Sequence, residues 1–85
     1  MPEISRFLGI VIRMYYRDHA PPHFHAEYGE REITVDIQTG QVTGTFPRRA
    51  LEAVLEWREL NCQALIENWH RATKREMLLP IPGLE

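Results

Sequence analysis

Apolar and polar residues alternate with a period near two through the first half of the chain, then recur at three- and four-residue spacing through the second. The first pattern marks strands with one buried face, the second an amphipathic helix. It predicts four strands, at residues 9–18, 23–28, 32–38 and 41–45. Residues 47–74 read as helix, because Leu51, Leu55, Cys62, Leu65 and Trp69 share one side, with Arg58 the only break. Thr45 offers an N-cap just ahead of Pro47, a residue suited to a first helical turn because its missing N–H would be unpaired there anyway. Arg71, Lys74 and Arg75 suit the negative end of the helix dipole. The pattern leaves open one long helix or two joined near Asn61. The tail, MLLPIPGLE at 77–85, holds two prolines and cannot continue a helix. Its leucines are expected either on the core or against a partner. With no repeat and no linker, the expectation is one α+β domain over residues 1–85: an antiparallel sheet of about four strands, packed on one face by a C-terminal helix or helix pair.

Register follows from the same alternation. In the strand at 23–28, His23, His25 and Glu27 share one face and Phe24, Ala26 and Tyr28 the other. In the strand at 32–38, Ile33, Val35 and Ile37 lie opposite Glu32, Thr34 and Asp36. A two-residue turn at Gly29-Glu30 sets Tyr28 beside Arg31, Glu27 beside Glu32, His25 beside Thr34 and His23 beside Asp36. Apolar faces then coincide, which is the condition that fixes a register. The first strand, with Ile10, Ile12, Met14 and Tyr16 inward, matches this if Tyr16 lies beside Ala26. That brings Arg17 near His25 and Tyr15 near Glu27. The expected sheet therefore has an oily side under the helix and a polar side of Arg13, Tyr15, Arg17, His23, His25, Glu27, Thr34 and Asp36. An antiparallel sheet often leaves one face in water, so a merely solvated surface is the plain alternative.

Composition narrows the class. With 85 residues, 44% apolar and 26% charged, the chain is an ordinary globular one with a small core. A net charge of −2 offers no general attraction to nucleic acid or membrane. One cysteine, Cys62, excludes an internal disulfide and suits a reducing cytosol. Its place on the apolar stripe reads as a packed thiol. The start MPEISRFLG lacks the apolar run of a signal peptide, and no stretch is long enough to span a bilayer, so a cytoplasmic protein without membrane contact is expected.

The stretch RDHAPPHFHAEYGE, Arg17 to Glu30, gathers His19, His23 and His25. Metal binding is one use: two imidazoles on one strand face can aim at one point, with His19, Glu27 or Asp36 as third ligand for a divalent transition metal. Asp36 opposite His23 is alternatively an outer carboxylate that orients the ring. Pro21 and Pro22 rule out a helix that would carry His19 and His23 as ligands one turn apart. Acid–base catalysis is another use, with His23 and His25 moving protons in phosphodiester cleavage and Arg17 or Arg13 holding charge on phosphorus. A binding surface is the third: Tyr15, His23 and His25 suit stacking on bases with Arg13 and Arg17 on phosphates, the same residues suit a protein partner, and Asp18, His19 and Tyr28 are further binding candidates. Arg48 and Arg49 oppose the dipole at a helix start. They form either an anion site or solvated charges paired with Glu52. No Ser/His/Asp arrangement and no glycine-rich phosphate loop is present.

The stretches PEISRFLGIVIRMYYRDHAPPHFHAEYGE, ITVDIQTGQV and RRALEAVLEW with LIENW resemble a bacterial family of small domains of unknown function, the family numbered 4160. DHAPPHFHAEYG, Asp18 to Gly29, is its most specific part. The resemblance implies a small cytosolic protein encoded beside a small partner, in a pair of toxin–antitoxin type. It marks Asp18, His19, Pro21, Pro22, His23, Phe24, His25 and Tyr28 as positions to test, and it supplies no catalytic residue. One member of such a pair, meeting RNA or its partner through the histidine face, is the leading functional expectation. A metal-binding or regulatory module, a structural adaptor and a homodimer are the alternatives.

Overall fold

The computed structural model describes residues 2–16 and 18–84. Five strands, β1 (Glu3–Phe7), β2 (Ile10–Arg13), β3 (His23–Tyr28), β4 (Arg31–Asp36) and β5 (Val42–Thr43), form one antiparallel sheet in chain order. Helices α1 (Arg48–Leu60) and α2 (Cys62–Thr73) follow. The α+β expectation is correct, with one strand more than four.

The missed strand is β1. Its pairing shifts between Glu3 and Ser5, so Ile4, Ser5 and Phe7 are all buried and the period-two signal is broken. The hairpin loop is Leu8-Gly9, both at positive φ (52° and 78°), the backbone a two-residue hairpin turn favours. Leucine seldom adopts it, so the sequence carries no ordinary turn signal there.

This hairpin also corrects the expected register of the first strand. Ile12, not Tyr16, lies beside Ala26, with Arg13 opposite His25 and Val11 opposite Glu27. The slip is an even number of residues, so every side chain keeps its face. Pairing ends at Arg13, and the Met14 N–H goes to the Pro2 carbonyl at 3.2 Å. Tyr16 is consequently exposed rather than packed in the core. Residues 14–16 and 18, expected as strand, lie outside any strand, as do 19–22. Between β3 and β4 the register is as expected at every pair, from His23↔Asp36 to Tyr28↔Arg31.

Beneath the sheet, Ile12, Met14, Phe24, Ile33 and Val35 are buried together with Val54, Trp57 and Leu65 of the helices. Trp57 is the hub, its ring 5.4 Å from Phe7 and 5.6 Å from Phe24. Thr45 does not cap α1; its hydroxyl accepts from Arg31 Nη1 at 3.2 Å, and Pro47 holds the N-cap position. Arg58, the break in the apolar stripe, donates to the carbonyls of Ile37 and Gln38 at 2.9 and 3.0 Å. It reads as a polar break but serves as a tie from α1 to the turn after β4.

The helical stretch divides at Asn61. Its N–H bonds Arg58 O at 3.1 Å and its side-chain Nδ2 bonds Trp57 O at 2.9 Å, closing α1. Its own carbonyl accepts from Leu65 at 2.9 Å and opens α2. The tail docks across the core. Asn68, almost fully buried, holds Leu79 through both its N–H and its carbonyl, at 2.9 and 2.8 Å. Trp57 Nε1 donates to Pro82 O at 2.9 Å, and Ile81 N to Ile4 O at 2.8 Å. Leu78 and Ile81 are buried while Leu79 is half exposed. Among the described residues no helix is long and apolar enough to cross a membrane.

Candidate metal centre

β3 presents His23 and His25 on the polar face because they are two residues apart on one strand. Asp18, from the connection between β2 and β3, lies over that face. One oxygen, Asp18 Oδ2, lies 3.0 Å from His23 Nε2 and 3.2 Å from His25 Nε2. The other oxygen accepts the His19 N–H at 3.0 Å, which orients the carboxylate. The far sides of the rings are held as well. His23 Nδ1 lies 2.8 Å from the Pro21 carbonyl, and His25 Nδ1 lies 2.9 Å from Glu32 Oε2. Ring contacts stiffen the pair: Tyr15 meets His25 edge-on at 4.4 Å, and Trp69 lies 5.4 Å from His23.

Each ring therefore faces an acceptor with both nitrogens. A neutral imidazole has one N–H to give, so its second nitrogen would turn a lone pair toward an oxygen that also carries lone pairs. Two arrangements remove that conflict: a second proton on each ring, or a cation held between both Nε2 atoms and Asp18 Oδ2. The second leaves the N–H on Nδ1 of both rings, donating to Pro21 O and to Glu32. A carbonyl or carboxylate behind the ring is the usual partner of a metal-bound histidine. The three donor atoms lie within 4.8 Å of one another. Ligand bonds of about 2.0–2.1 Å set neighbouring donors about 3 Å apart, the spacing that the two Asp18 contacts show.

Asp18 is only partly exposed. Burial alone would raise its pKa, but the His25 hydrogen bond, the His19 N–H and the nearby histidines outweigh it and lower the value. The site's carboxylate is thus ionised and ready as a ligand. Burial, then Glu32 and Glu27, push the Tyr15 phenol above its ordinary value, so it stays protonated beside His25.

The structure divides the sequence candidates. His23, His25, Asp18 and Tyr15 come together, and Arg13 stands beside them bonded to Glu27 at 3.2 Å. His19 is exposed and outside the donor group; Asp18, expected as a binding residue, takes the third position. Arg17 lies outside the described residues. Asp36 sits opposite His23 as expected, yet its carboxylate accepts the Gln38 and Thr39 N–H groups at 2.8 Å and does not orient the ring. Tyr28 and Arg49 are elsewhere, lining a hollow of about 120 Å³ with Leu8 and Ala53. Arg48 pairs with Glu52 at 3.2 Å in solvent. Glu32 was missed as a partner of His25. Its place diagonal to His25 on the same face was the available signal.

Fold and cluster together define a small α+β domain with a two-histidine, one-carboxylate group on the open face of its sheet. The chain belongs to the family described as domain of unknown function (DUF4160), whose model matches residues 9–70. That span holds the three donors and Glu32 and leaves out β1 and the tail. No curated protein and no solved structure matches the chain.

Proposed function

We propose that this chain is a metal-binding domain that holds one divalent transition-metal ion through Asp18, His23 and His25. The observation that carries this reading is the pairing of every ring nitrogen in the cluster with an acceptor, with both Nε2 atoms on one carboxylate oxygen. Imidazole with carboxylate selects zinc, nickel, cobalt or iron over magnesium and calcium. Three protein donors leave the ion at least one position for water or another ligand. The same geometry weighs against His23 and His25 as a free acid–base pair, because neither ring keeps an unengaged nitrogen for a substrate.

Metal content of untagged protein purified without chelator is the test. About one equivalent is expected, lost in Asp18→Ala and His25→Ala and retained in His19→Ala. Protein that arrives without metal and takes up no zinc, nickel or cobalt at micromolar concentration refutes the reading.

The family resemblance supports a cytosolic member of a two-gene growth-control pair as the setting for such a domain. On that placement the histidine face meets RNA or the partner protein, and the metal offsets the charge of Asp18, Glu27, Glu32 and Asp36. Growth arrest on expression without the partner, abolished by Asp18→Ala, is the expected outcome. Unimpaired growth with the intact protein counts against it.

A further inference from the structure

The polar face carries a second feature beside the cluster. A cavity of about 260 Å³ is lined by Pro21, His23, Thr34, Asp36, Gln41 and Thr43. Register places it against the cluster: Asp36 is the cross-strand partner of His23, Thr34 the partner of His25, and Thr43 the partner of Thr34. One wall is thus a donor histidine, and the floor continues across β4 to β5.

We infer that this bay binds a small hydroxylated molecule, neutral or positively charged and about one sugar ring in size, next to the metal position. Its volume falls just below the usual range of sites for drug-sized ligands, which limits the occupant to a single ring or short chain. The side chains of Thr34, Gln41 and Thr43 make no hydrogen bond to another described residue, so donors and acceptors for hydroxyl groups are free. Asp36 is the charged residue of the lining, and no Lys or Arg joins it. The Thr39 N–H first, with the Gln38 N–H, the Thr39 side chain and Arg58, outweighs burial and keeps its carboxylate ionised. Glu32 lies four residues before Asp36 on the same face. While no ion is bound, a carboxylated or phosphorylated ligand would meet negative charge there, whereas an amine would meet a counter-ion.

The placement next to a metal rests on the metal-centre reading; the preference for hydroxyl and amine groups does not. The test uses three sugars of one shape and different charge, glucosamine, glucose and glucuronate. Each is titrated into ¹⁵N-labelled protein with zinc present and again with zinc chelated. Saturable shifts at Thr34, Gln41 and Thr43 are expected, with glucosamine about five-fold tighter than glucose, the size of one screened charge pair. With zinc chelated, glucuronate should be the weakest. Asp36→Asn should bring glucosamine to the level of glucose, and Thr34→Val should weaken both while zinc uptake is unchanged. With zinc chelated, glucuronate binding as tightly as glucosamine, or no localised shifts with any of the three, overturns the inference. A chain that binds no zinc yet shows these shifts refutes the metal centre and leaves the bay standing.

Discussion

Glu32 is the residue through which the metal reading can be tested without touching a ligand. Its carboxylate accepts from His25 Nδ1 at 2.9 Å, on the side of the ring away from Asp18. Glu32→Gln keeps the shape but removes the charge that favours donation from Nδ1, so Nε2 becomes a poorer donor to metal. Loss of such an outer partner typically costs about 10- to 100-fold in metal affinity. That loss, with an unchanged circular-dichroism spectrum, is the expected outcome, read by competition with a chelating dye. An unchanged affinity would mean that His25 binds no ion. At this scale the sequence was half legible. Strand alternation is strict, so His23 and His25 could be placed on one face beside each other. Asp18 and His19 lie in a loop, where no periodicity says which side chain turns inward. The His19 N–H bond to Asp18 decides it.

Elements were legible wherever a repeating pattern and a turn agreed, as in β3 and β4 with Gly29 between them. They were hidden where geometry departs from the repeat, at the irregular pairing in β1 and the Leu8-Gly9 turn, and the break at Asn61 was one of two readings the pattern left open. Two connections give measurable predictions. The turn after β4 is closed by Asp36, whose carboxylate takes the Gln38 and Thr39 N–H groups. Those bonds, the Thr39 N–H first, lower its pKa from the ordinary 3.8. The folded state thus favours the ionised form. The stability this contributes is complete above the unfolded value and is lost as the pH falls through the lower folded value. Asp36→Asn should therefore be less stable than the parent near neutrality, and the gap should close in acid below 3.8, as read by urea unfolding at a series of pH values. A gap independent of pH would assign the turn's stability to something other than this carboxylate. At the other end, Asn68 holds the tail by two hydrogen bonds to Leu79 and accepts a third from Arg71. Asn68→Ala leaves buried backbone groups without partners and should cost about 1–3 kcal/mol. Faster hydrogen exchange at the Leu79 amide should accompany the loss. An equal loss of stability with Leu79 still protected would place the effect in α2 rather than in the tail.

At the scale of the whole molecule the cluster, once it holds an ion, would do what a covalent staple does. Pairing between β2 and β3 ends at Arg13, and β3 begins at His23. Between them Asp18 contacts both histidines, and the Ile37 N–H bond to Pro22 O at 3.0 Å fixes the end of the connection. A bound ion converts the Asp18 contact into a coordinate link between loop and sheet. His23 also lies against Trp69, so the link reaches α2. Because the ligands gather only in the folded chain, metal affinity adds to folding stability. Free zinc at a hundred times its dissociation constant adds about 2.7 kcal/mol. For a domain of this size that corresponds to a rise in Tm of about 10–20 °C. The rise should appear with zinc, vanish with chelator and be absent in Asp18→Ala. Nickel or copper should in addition quench the emission of Trp69. Trp69→Phe should lose that quenching and keep the thermal shift, separating an ion beside His23 from one bound elsewhere on the surface. A shift that survives in Asp18→Ala would locate the ion away from this cluster.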